Sequence, residues 1–353
     1  MKNAIKTAFC ILGAIIGAGF ATGKEISSFF VRFGTKSFFG IVLSSLMFGM
    51  YVFFVISKIK EEKIPTPFEY VKKISNTFFA KISMIVTYLF LFVSFSVMIT
   101  GGASLLSEFF NATHFVSSLI VCLICFFVLV FGKSGVLNAS FILTPFMILG
   151  IIILGIVTAK ERAVFLSFDN TLTSSVVYVS YNTLPLLTLL CAILGDLKSE
   201  KEIKKTAYVL TFLIFVLMFC LWYVLIVNDF GYLTYDMPIV KIVEKYGIYP
   251  KMPYGIVLFF SMLTTAFSSG IGLLDIMNKK IKNTNNTVNT LVLCVFSFFM
   301  SYIGFSGFIN YVYPLFGYLG LSIFLLIILD ILRKIKKKYE NKRKTYLFSK
   351  NDK

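Results

Sequence analysis

The chain has 353 residues, of which 58% are hydrophobic and only 14% charged, and its mean hydropathy is +0.86. This composition excludes a water-soluble domain, whose surface needs far more charged residues, and it indicates an integral membrane protein. The formal net charge of +17 at pH 7 does not indicate a nucleic-acid partner, because the basic residues concentrate in alternate loops and in the C-terminal tail.

The apolar residues fall into runs close to the roughly 20 residues that a helix needs to cross about 30 Å of hydrocarbon. Runs such as Phe126–Phe131 are unbroken instead of alternating, so they predict helices and not the strands of a membrane barrel. The predicted fold class is all-α integral membrane, with one transmembrane domain over residues 1–332 and a basic tail over 333–353. The ten predicted spans, numbered in chain order, lie at about 5–22, 38–57, 82–106, 115–131, 138–158, 174–194, 207–227, 254–277, 288–305 and 310–332.

The distribution of basic residues predicts how the spans are oriented. With the N-terminus inside, the cytoplasmic segments hold about 26 of the 34 Lys and Arg residues, and the external segments hold about 8. This asymmetry follows the positive-inside rule, so we expect a multi-pass protein of the cell membrane with both termini in the cytoplasm. Lys24, Arg32 and Lys36 are external exceptions that follow span 1.

Two connecting segments have helical patterns of their own. Residues 67–81 alternate apolar and basic side chains at helical spacing, which predicts a helix along the cytoplasmic membrane surface. Residues 236–247 have Pro238 near their start and Gly247 at their end, the usual limits of a short helix. On the external side this helix is either a simple connector or a lid over a vestibule, and the sequence favours neither.

Span 1 contains the segment GAIIGAGFATGKE, with glycines at positions 13, 17, 19 and 23. Small residues four apart are common where membrane helices pack closely, which is one explanation for this pattern. Gly17 and Gly19, however, are two residues apart and cannot share one helix face. We therefore predict that span 1 unwinds around Ile16–Phe20. Unwound backbone in a membrane is tolerated only beside a cavity or a ligand, so this segment predicts a binding site.

Span 6 has a matching irregularity in the segment SYNTLP, where Pro185 removes a backbone donor in mid-span. The first span of each half of the chain is thus interrupted, and paired interruptions of this kind indicate the binding site of a transporter. The freed N–H groups at a half-helix N-terminus suit a carboxylate. The candidate substrate-binding residues are Gly17, Ala18, Gly19 and Phe20 in span 1, and Tyr181, Asn182 and Thr183 in span 6.

The segments GAIIGAGFATGKEI and YVSYNTLPLLTLL, together with ten spans, resemble the YkvI-like membrane proteins of the amino acid–polyamine–organocation superfamily. The resemblance covers nearly the whole chain except the basic tail. It implies the LeuT-type fold, in which two inverted five-helix repeats, here about 5–158 and 174–332, have their first spans broken at mid-membrane.

That fold implies a sodium site between spans 1 and 8, with two backbone carbonyls from span 1 and a carbonyl and two adjacent hydroxyls from span 8. The matching carbonyls here are those of Gly13, Ile16 and Thr265, and the matching hydroxyls are those of Ser268 and Ser269. Oxygen ligands of this kind suit a hard cation. The alternative is that the two serines only bond back to their own helix, as serines in membrane helices often do.

The residues around the predicted site indicate the class of solute. No Arg, Lys, Asp or Glu lies deep in a predicted span, and the lining expected from Phe95–Met98 and Phe267 is apolar, so we expect a small neutral amino acid or a similar solute. The predicted function is secondary active transport by sodium-coupled symport with alternating access. The expected partners are this solute and the lipid bilayer. We expect no cofactor apart from sodium as the coupling ion, and the oligomeric state stays open.

The sequence leaves three alternatives to sodium symport. A ligand-sensing receptor subunit of the same fold would bind the solute without accumulating it. A proton-coupled permease would replace the sodium ion with a Lys from span 5, and residues 138–158 contain no Lys, which favours sodium. An intramembrane enzyme is least supported, because the sequence has no HExxH motif and its single His114 lies in an external loop.

Overall fold

The computed structural model describes residues 2–158, 171–193, 199–228, 230–235, 237–245, 248–280, 285–303, 320–334, 336 and 340. The regular structure in these residues is helical. The helices are α1 Lys2–Ile15, α2 Ala18–Ala21, α3 Lys24–Phe29, α4 Ser37–Glu61, α5 Pro67–Ile74, α6 Thr77–Phe110, α7 His114–Val130, α8 Gly132–Val157, α9 Thr171–Ile193, α10 Glu200–Val227, α11 Pro238–Glu244, α12 Ile248–Lys280, α13 Asn286–Met300 and α14 320–334.

The long helices have the length and composition of membrane spans. In the described part of the chain, five helices are each long and apolar enough to cross a bilayer: α4, α6, α8, α10 and most of α12. Helix α9 also meets this condition when its two bent parts are counted as one span. Shorter apolar helices lie at Asn3–Ile15, His114–Val130 and Asn286–Met300. Together with α14, this set is consistent with the ten predicted spans.

Four of the five spans of the first half pack against the span five places later. Helix α1 contacts α9, α4 contacts α10, α6 contacts α12, and α7 contacts α13. These contacts are expected of two five-helix repeats related by a pseudo-two-fold axis. Helix α1 also contacts α8, α10 and α12, so span 1 lies in the middle of the bundle.

The helix expected over residues 67–81 is two elements. Helix α5 begins after Thr66, whose hydroxyl accepts a hydrogen bond from the N–H of Glu69 at 3.3 Å. A second cap follows at Asn76, whose Oδ1 accepts from the N–H of Phe79 at 2.8 Å and begins α6. The side-chain cap at Asn76 starts a new helix where the apolar–basic pattern predicts continuity.

Span 1 extends beyond its predicted end at residue 22. Gly23 has the left-handed backbone conformation, with φ 80°, and helix α3 continues the chain from Lys24 to Phe29. A left-handed residue changes the direction of the chain, and glycine adopts this conformation without steric strain. The span therefore has three helical parts, α1, α2 and α3, and the side chains after Gly23 belong to the bundle.

Candidate substrate and ion site at the break in span 1

The predicted unwinding of span 1 is confirmed at Gly17. Helix α1 ends at Ile15, and Gly17 has an extended backbone with φ −83° and ψ −173°, so the helical hydrogen bonding is interrupted there. In the described residues no backbone carbonyl accepts from the N–H groups of Ala18, Gly19 or Phe20. The break therefore provides unpaired backbone donors inside the bundle.

The irregularity in span 6 takes a different form. Helix α9 stays helical over Thr171–Ile193, but its two parts, Thr171–Ser180 and Pro185–Ile193, are inclined by 46°. Pro185 has no N–H, so one helical hydrogen bond is missing at the bend. The Tyr51 hydroxyl on α4 donates a hydrogen bond to the carbonyl of Thr183 at 3.0 Å, so a side chain of α4 binds the backbone at the bend.

A cavity lies between the break in span 1, the bend in span 6, and helices α6 and α12. The cavity has a volume of about 30 Å³, which is room for one or two water molecules. An amino acid would therefore require surrounding side chains to move. The lining residues are Ala14, Ile15, Gly17, Ala18, Gly19, Glu25, Phe90, Ser94, Met98, Asn182, Pro185, Thr265, Ser268 and Ser269.

Most of the predicted substrate-binding residues meet at this cavity. Gly17, Ala18 and Gly19 line it from span 1, and Asn182 lines it from span 6. The Asn182 amide donates to the carbonyl of Tyr178 at 3.1 Å, so its oxygen is directed away from that bond. The two interrupted spans thus contribute to one cavity, as their positions in the two halves predict.

Other predicted residues lie elsewhere. Phe20 is fully buried in the core, and the Thr183 hydroxyl donates to the carbonyl of Val179 at 3.1 Å, so neither side chain lines the cavity. Of the predicted apolar lining in spans 3 and 8, Met98 faces the cavity, whereas Phe95 and Phe267 are packed in the core. The side chain of Tyr181 lies outside the described residues.

The predicted ion-binding residues of spans 1 and 8 are in direct contact, but Thr265 makes the contact through its hydroxyl and not through the predicted carbonyl. The Thr265 hydroxyl donates to the carbonyl of Gly13 at 2.9 Å and lies 3.3 Å from the carbonyl oxygen of Ile16. The close packing depends on Gly13, since a Cβ there would lie 2.8 Å from the Cβ of Thr264. The two carbonyls therefore converge on one point beside α12.

The two predicted serine ligands line the same cavity but have other partners. The Ser268 hydroxyl donates to the carbonyl of Thr264 in its own helix at 2.9 Å, and that of Ser269 donates to the Ser94 hydroxyl at 3.1 Å. All the predicted donors are uncharged oxygens, and this set fits a hard monovalent cation in type. A hydroxyl that donates its hydrogen keeps its oxygen lone pairs, so these bonds leave both serine oxygens able to bind such an ion.

Glu25 is a cavity residue that the sequence interpretation did not place there. We expected no acidic side chain deep in a span, and this expectation is wrong because Gly23 redirects the chain and brings Glu25 against Gly19. Its Oε2 atom is buried and accepts no hydrogen bond. The available signal in the sequence was an acidic residue, Glu25, six positions after Gly19.

The short helix α11 lies against the second part of span 1. Its Ile239 N–H donates to the carbonyl of Thr22 at 3.0 Å, and the side chain of Ile239 packs on Gly23. From the start of α12, the Tyr254 hydroxyl donates to the carbonyl of Ala21. Helix α11 is therefore docked on the segment that follows the break.

Comparison with known proteins agrees with this architecture. No family model matches the chain. It is similar to the uncharacterized membrane protein YkvI of Bacillus subtilis (strain 168), with 26% identity over 287 residues that cover 77% of this chain and 80% of the relative. The uncharacterized protein YyaD of the same organism is 26% identical over 278 residues, with the same coverage of 77% and 80%.

Three solved structures have the same fold. A substrate-bound, outward-open Na⁺-coupled sialic acid symporter gives a TM-score of 0.69 at 13% identity, covering 92% of this chain and 78% of its own. MhsT in complex with L-phenylalanine gives 0.66 at 13% identity, covering 92% and 88%. A manganese transporter of Eremococcus coleocola gives 0.66 at 13% identity, covering 93% and 76%.

The fold and the cavity define a helical membrane protein of the LeuT type, in which a broken first span and a bent sixth span meet at a central site. Within that class, the chain is similar to the YkvI-like membrane proteins, in agreement with the resemblance of the span 1 and span 6 segments.

Proposed function

We propose that this protein is a secondary active transporter that binds a small organic solute at the break in span 1. The observation that carries the proposal is the meeting of Gly17, Ala18 and Gly19 with Asn182 at one cavity. Unpaired backbone donors and a small cavity at the centre of a helical bundle are features of transporter binding sites. The transporter fold of the structural neighbours supports the same function and gives no support to an enzyme.

Coupling to sodium is part of the proposal. The carbonyls of Gly13 and Ile16 converge on Thr265, and Ser268 and Ser269 line the adjacent cavity. These oxygens would hold the ion beside the solute, so that binding of one favours binding of the other. When bound there, sodium would couple the movement of the solute to the sodium gradient across the membrane.

The proposed location of the protein is the cell membrane, with both termini in the cytoplasm. The excess of basic residues on one set of loops supports this orientation. On this assignment helix α11 lies on the external side and closes over the segment after the break. The proposed solute is a small amino acid or a similar molecule.

Accumulation in proteoliposomes tests the proposed transport. Purified protein would be reconstituted and supplied with a mixture of labelled amino acids, with an inward sodium gradient or with potassium in its place. We expect at least one amino acid to accumulate above its external concentration only with the sodium gradient. Saturable binding without accumulation would instead identify a receptor, and accumulation driven equally well by a proton gradient without sodium would identify a proton-coupled permease.

A further inference from the structure

Glu25 brings into the cavity a carboxyl group that no charged residue of the described lining pairs with. It is the single charged residue among the fourteen residues that line the cavity. Its Oε2 atom is buried and has no hydrogen-bond partner. An ionised carboxylate in such surroundings is costly unless a cation or a proton neutralises it. The cavity is therefore complementary to a positively charged group.

The carboxylate of Glu25 is held at the break by the absence of a side chain at Gly19. A Cβ on Gly19 would lie 3.0 Å from the Cδ of Glu25 and closer still to its Oε1. Glycine thus lets the acid lie directly against the backbone of α2. Since Gly17 and Gly19 both line the cavity, the acid is presented at the same point as the unwound backbone.

The neighbouring polar groups leave the carboxyl group of Glu25 without an ion-pair partner. In the described part of the chain, no Lys or Arg forms an ion pair with Glu25, and the adjacent Lys24 directs its Nζ to the carbonyl of Tyr235 at 3.0 Å. The Tyr178 hydroxyl faces Glu25 but completes no hydrogen bond of ordinary geometry. A bound cation would supply the missing partner.

We propose that Glu25 binds the positively charged amino group of the transported solute, an inference that rests on the proposed function. A single carboxylate suits an ammonium group, which forms a charge-assisted hydrogen bond with it. A divalent metal is less well served, since the described residues contain no group of three or more His, Cys, Asp or Glu side chains. Phe90, Met98 and Pro185 provide apolar contacts for the organic part of the solute.

This assignment defines the solute class more narrowly than the proposed function does. A solute must carry a protonated amino group, so amino acids and simple amines bind. The corresponding carboxylic acids, which lack the amino group, are excluded because their only charge has the same sign as that of Glu25.

Matched sets of compounds test separately how much the amino group and the carboxylate of the solute contribute to its affinity. The probes are L-alanine, ethylamine and propionate, the set L-leucine, 3-methylbutylamine and 4-methylpentanoate, and the set L-phenylalanine, 2-phenylethylamine and 3-phenylpropanoate. Each would be added at rising concentration to the purified full chain in sodium buffer, and the shift of the melting temperature would give its affinity. Manganese chloride serves as a metal probe.

Two variants carry the comparison. Glu25→Gln keeps the size of the side chain and removes its charge, and the exposed Glu69→Gln on α5 is the matched control. We expect at least one amino acid to stabilise the wild type while its deaminated acid does not, and we expect Glu25→Gln to weaken that affinity at least tenfold. Glu69→Gln should bind as the wild type does. Without ligand, Glu25→Gln should melt no lower than the wild type, because the acid that it removes has no ion-pair partner.

Several results would overturn the assignment. Equal binding of an amino acid and its deaminated acid, an unchanged affinity in Glu25→Gln, or stabilisation by manganese chloride alone would each contradict it. If the solute binds Glu25→Gln with the affinity of the wild type, this inference is wrong and the proposed transport function still stands. Failure of every organic probe to bind the wild type, joined to absence of uptake, counts against both.

Discussion

The Thr265 hydroxyl donates a hydrogen bond to the carbonyl of Gly13 at 2.9 Å and so joins span 8 to the last turn of α1. The same hydroxyl lies 3.3 Å from the carbonyl oxygen of Ile16, the last residue before the extended Gly17. One side chain therefore contacts two of the backbone carbonyls that the break leaves without ordinary helical partners. This contact connects the packing of the bundle to the site at its centre.

Thr265→Val should destabilise the protein in sodium-free buffer. The substitution keeps the shape of the side chain and removes the donor to the Gly13 and Ile16 carbonyls, which costs about 1 kcal/mol. The melting temperature without ligand measures the effect. Thr290→Val is the control, because that hydroxyl bonds only within its own helix, to the carbonyl of Asn286 at 2.7 Å. An equal decrease in the two variants would contradict a special role for Thr265.

Gly13→Ala and Gly17→Ala should have different effects on stability. A Cβ at Gly13 would lie 2.8 Å from the Cβ of Thr264, so α1 and α12 would have to separate. A Cβ at Gly17 would meet Thr265 Oγ1 at 3.5 Å, an ordinary contact. We expect Gly13→Ala to cost about 1–3 kcal/mol of stability, as overpacked cores do, and Gly17→Ala to cost less. Thermal unfolding of the two variants in parallel checks the order, and the reverse order would contradict the packing described.

Much of this region was predictable from the pattern of residues. The spacing of Gly17 and Gly19 predicted the break, because two glycines on different faces of a helix have no simple packing explanation. Pro238 predicted the start of α11, where it occupies the first turn. In both cases a local backbone constraint determined the structure, and such constraints can be read from a few neighbouring residues.

The position of Glu25 could not be predicted in the same way. It depends on the left-handed Gly23, with φ 80°, and on the space above Gly19, and both depend on the packing of α11 and α12 around span 1. The role of Thr265 was also only partly predicted, since the contact with Gly13 is made by its hydroxyl and the expected ligand was its carbonyl. Side-chain direction in a bundle follows tertiary contacts that spacing alone does not contain.

Gly23→Ala should loosen α11. The new Cβ would lie 2.5 Å from the Cγ1 of Ile239, and the left-handed backbone at Gly23 adds about 1–2 kcal/mol of strain for an L-residue. Gly132→Ala is the control, because φ is 58° there but no atom lies within 4 Å of the new Cβ. Hydrogen–deuterium exchange of the peptide that covers Pro238–Glu244 should become faster in Gly23→Ala alone. Equal protection in both variants would show that Gly23 does not position α11.

The dependence of amino-acid affinity on sodium tests the central claim most directly. The affinity of the purified protein for an amino acid that it binds would be measured at rising sodium chloride, with potassium chloride keeping the ionic strength constant. Ser268→Ala would be compared with Ser45→Ala, a buried serine that bonds to Ile41 in its own helix at 2.8 Å. We predict that the affinity rises with sodium in the wild type and in Ser45→Ala, and that it no longer does so in Ser268→Ala. An affinity that is the same in sodium and in potassium, or a sodium effect that survives in Ser268→Ala, would contradict a shared solute and ion site at the break in span 1.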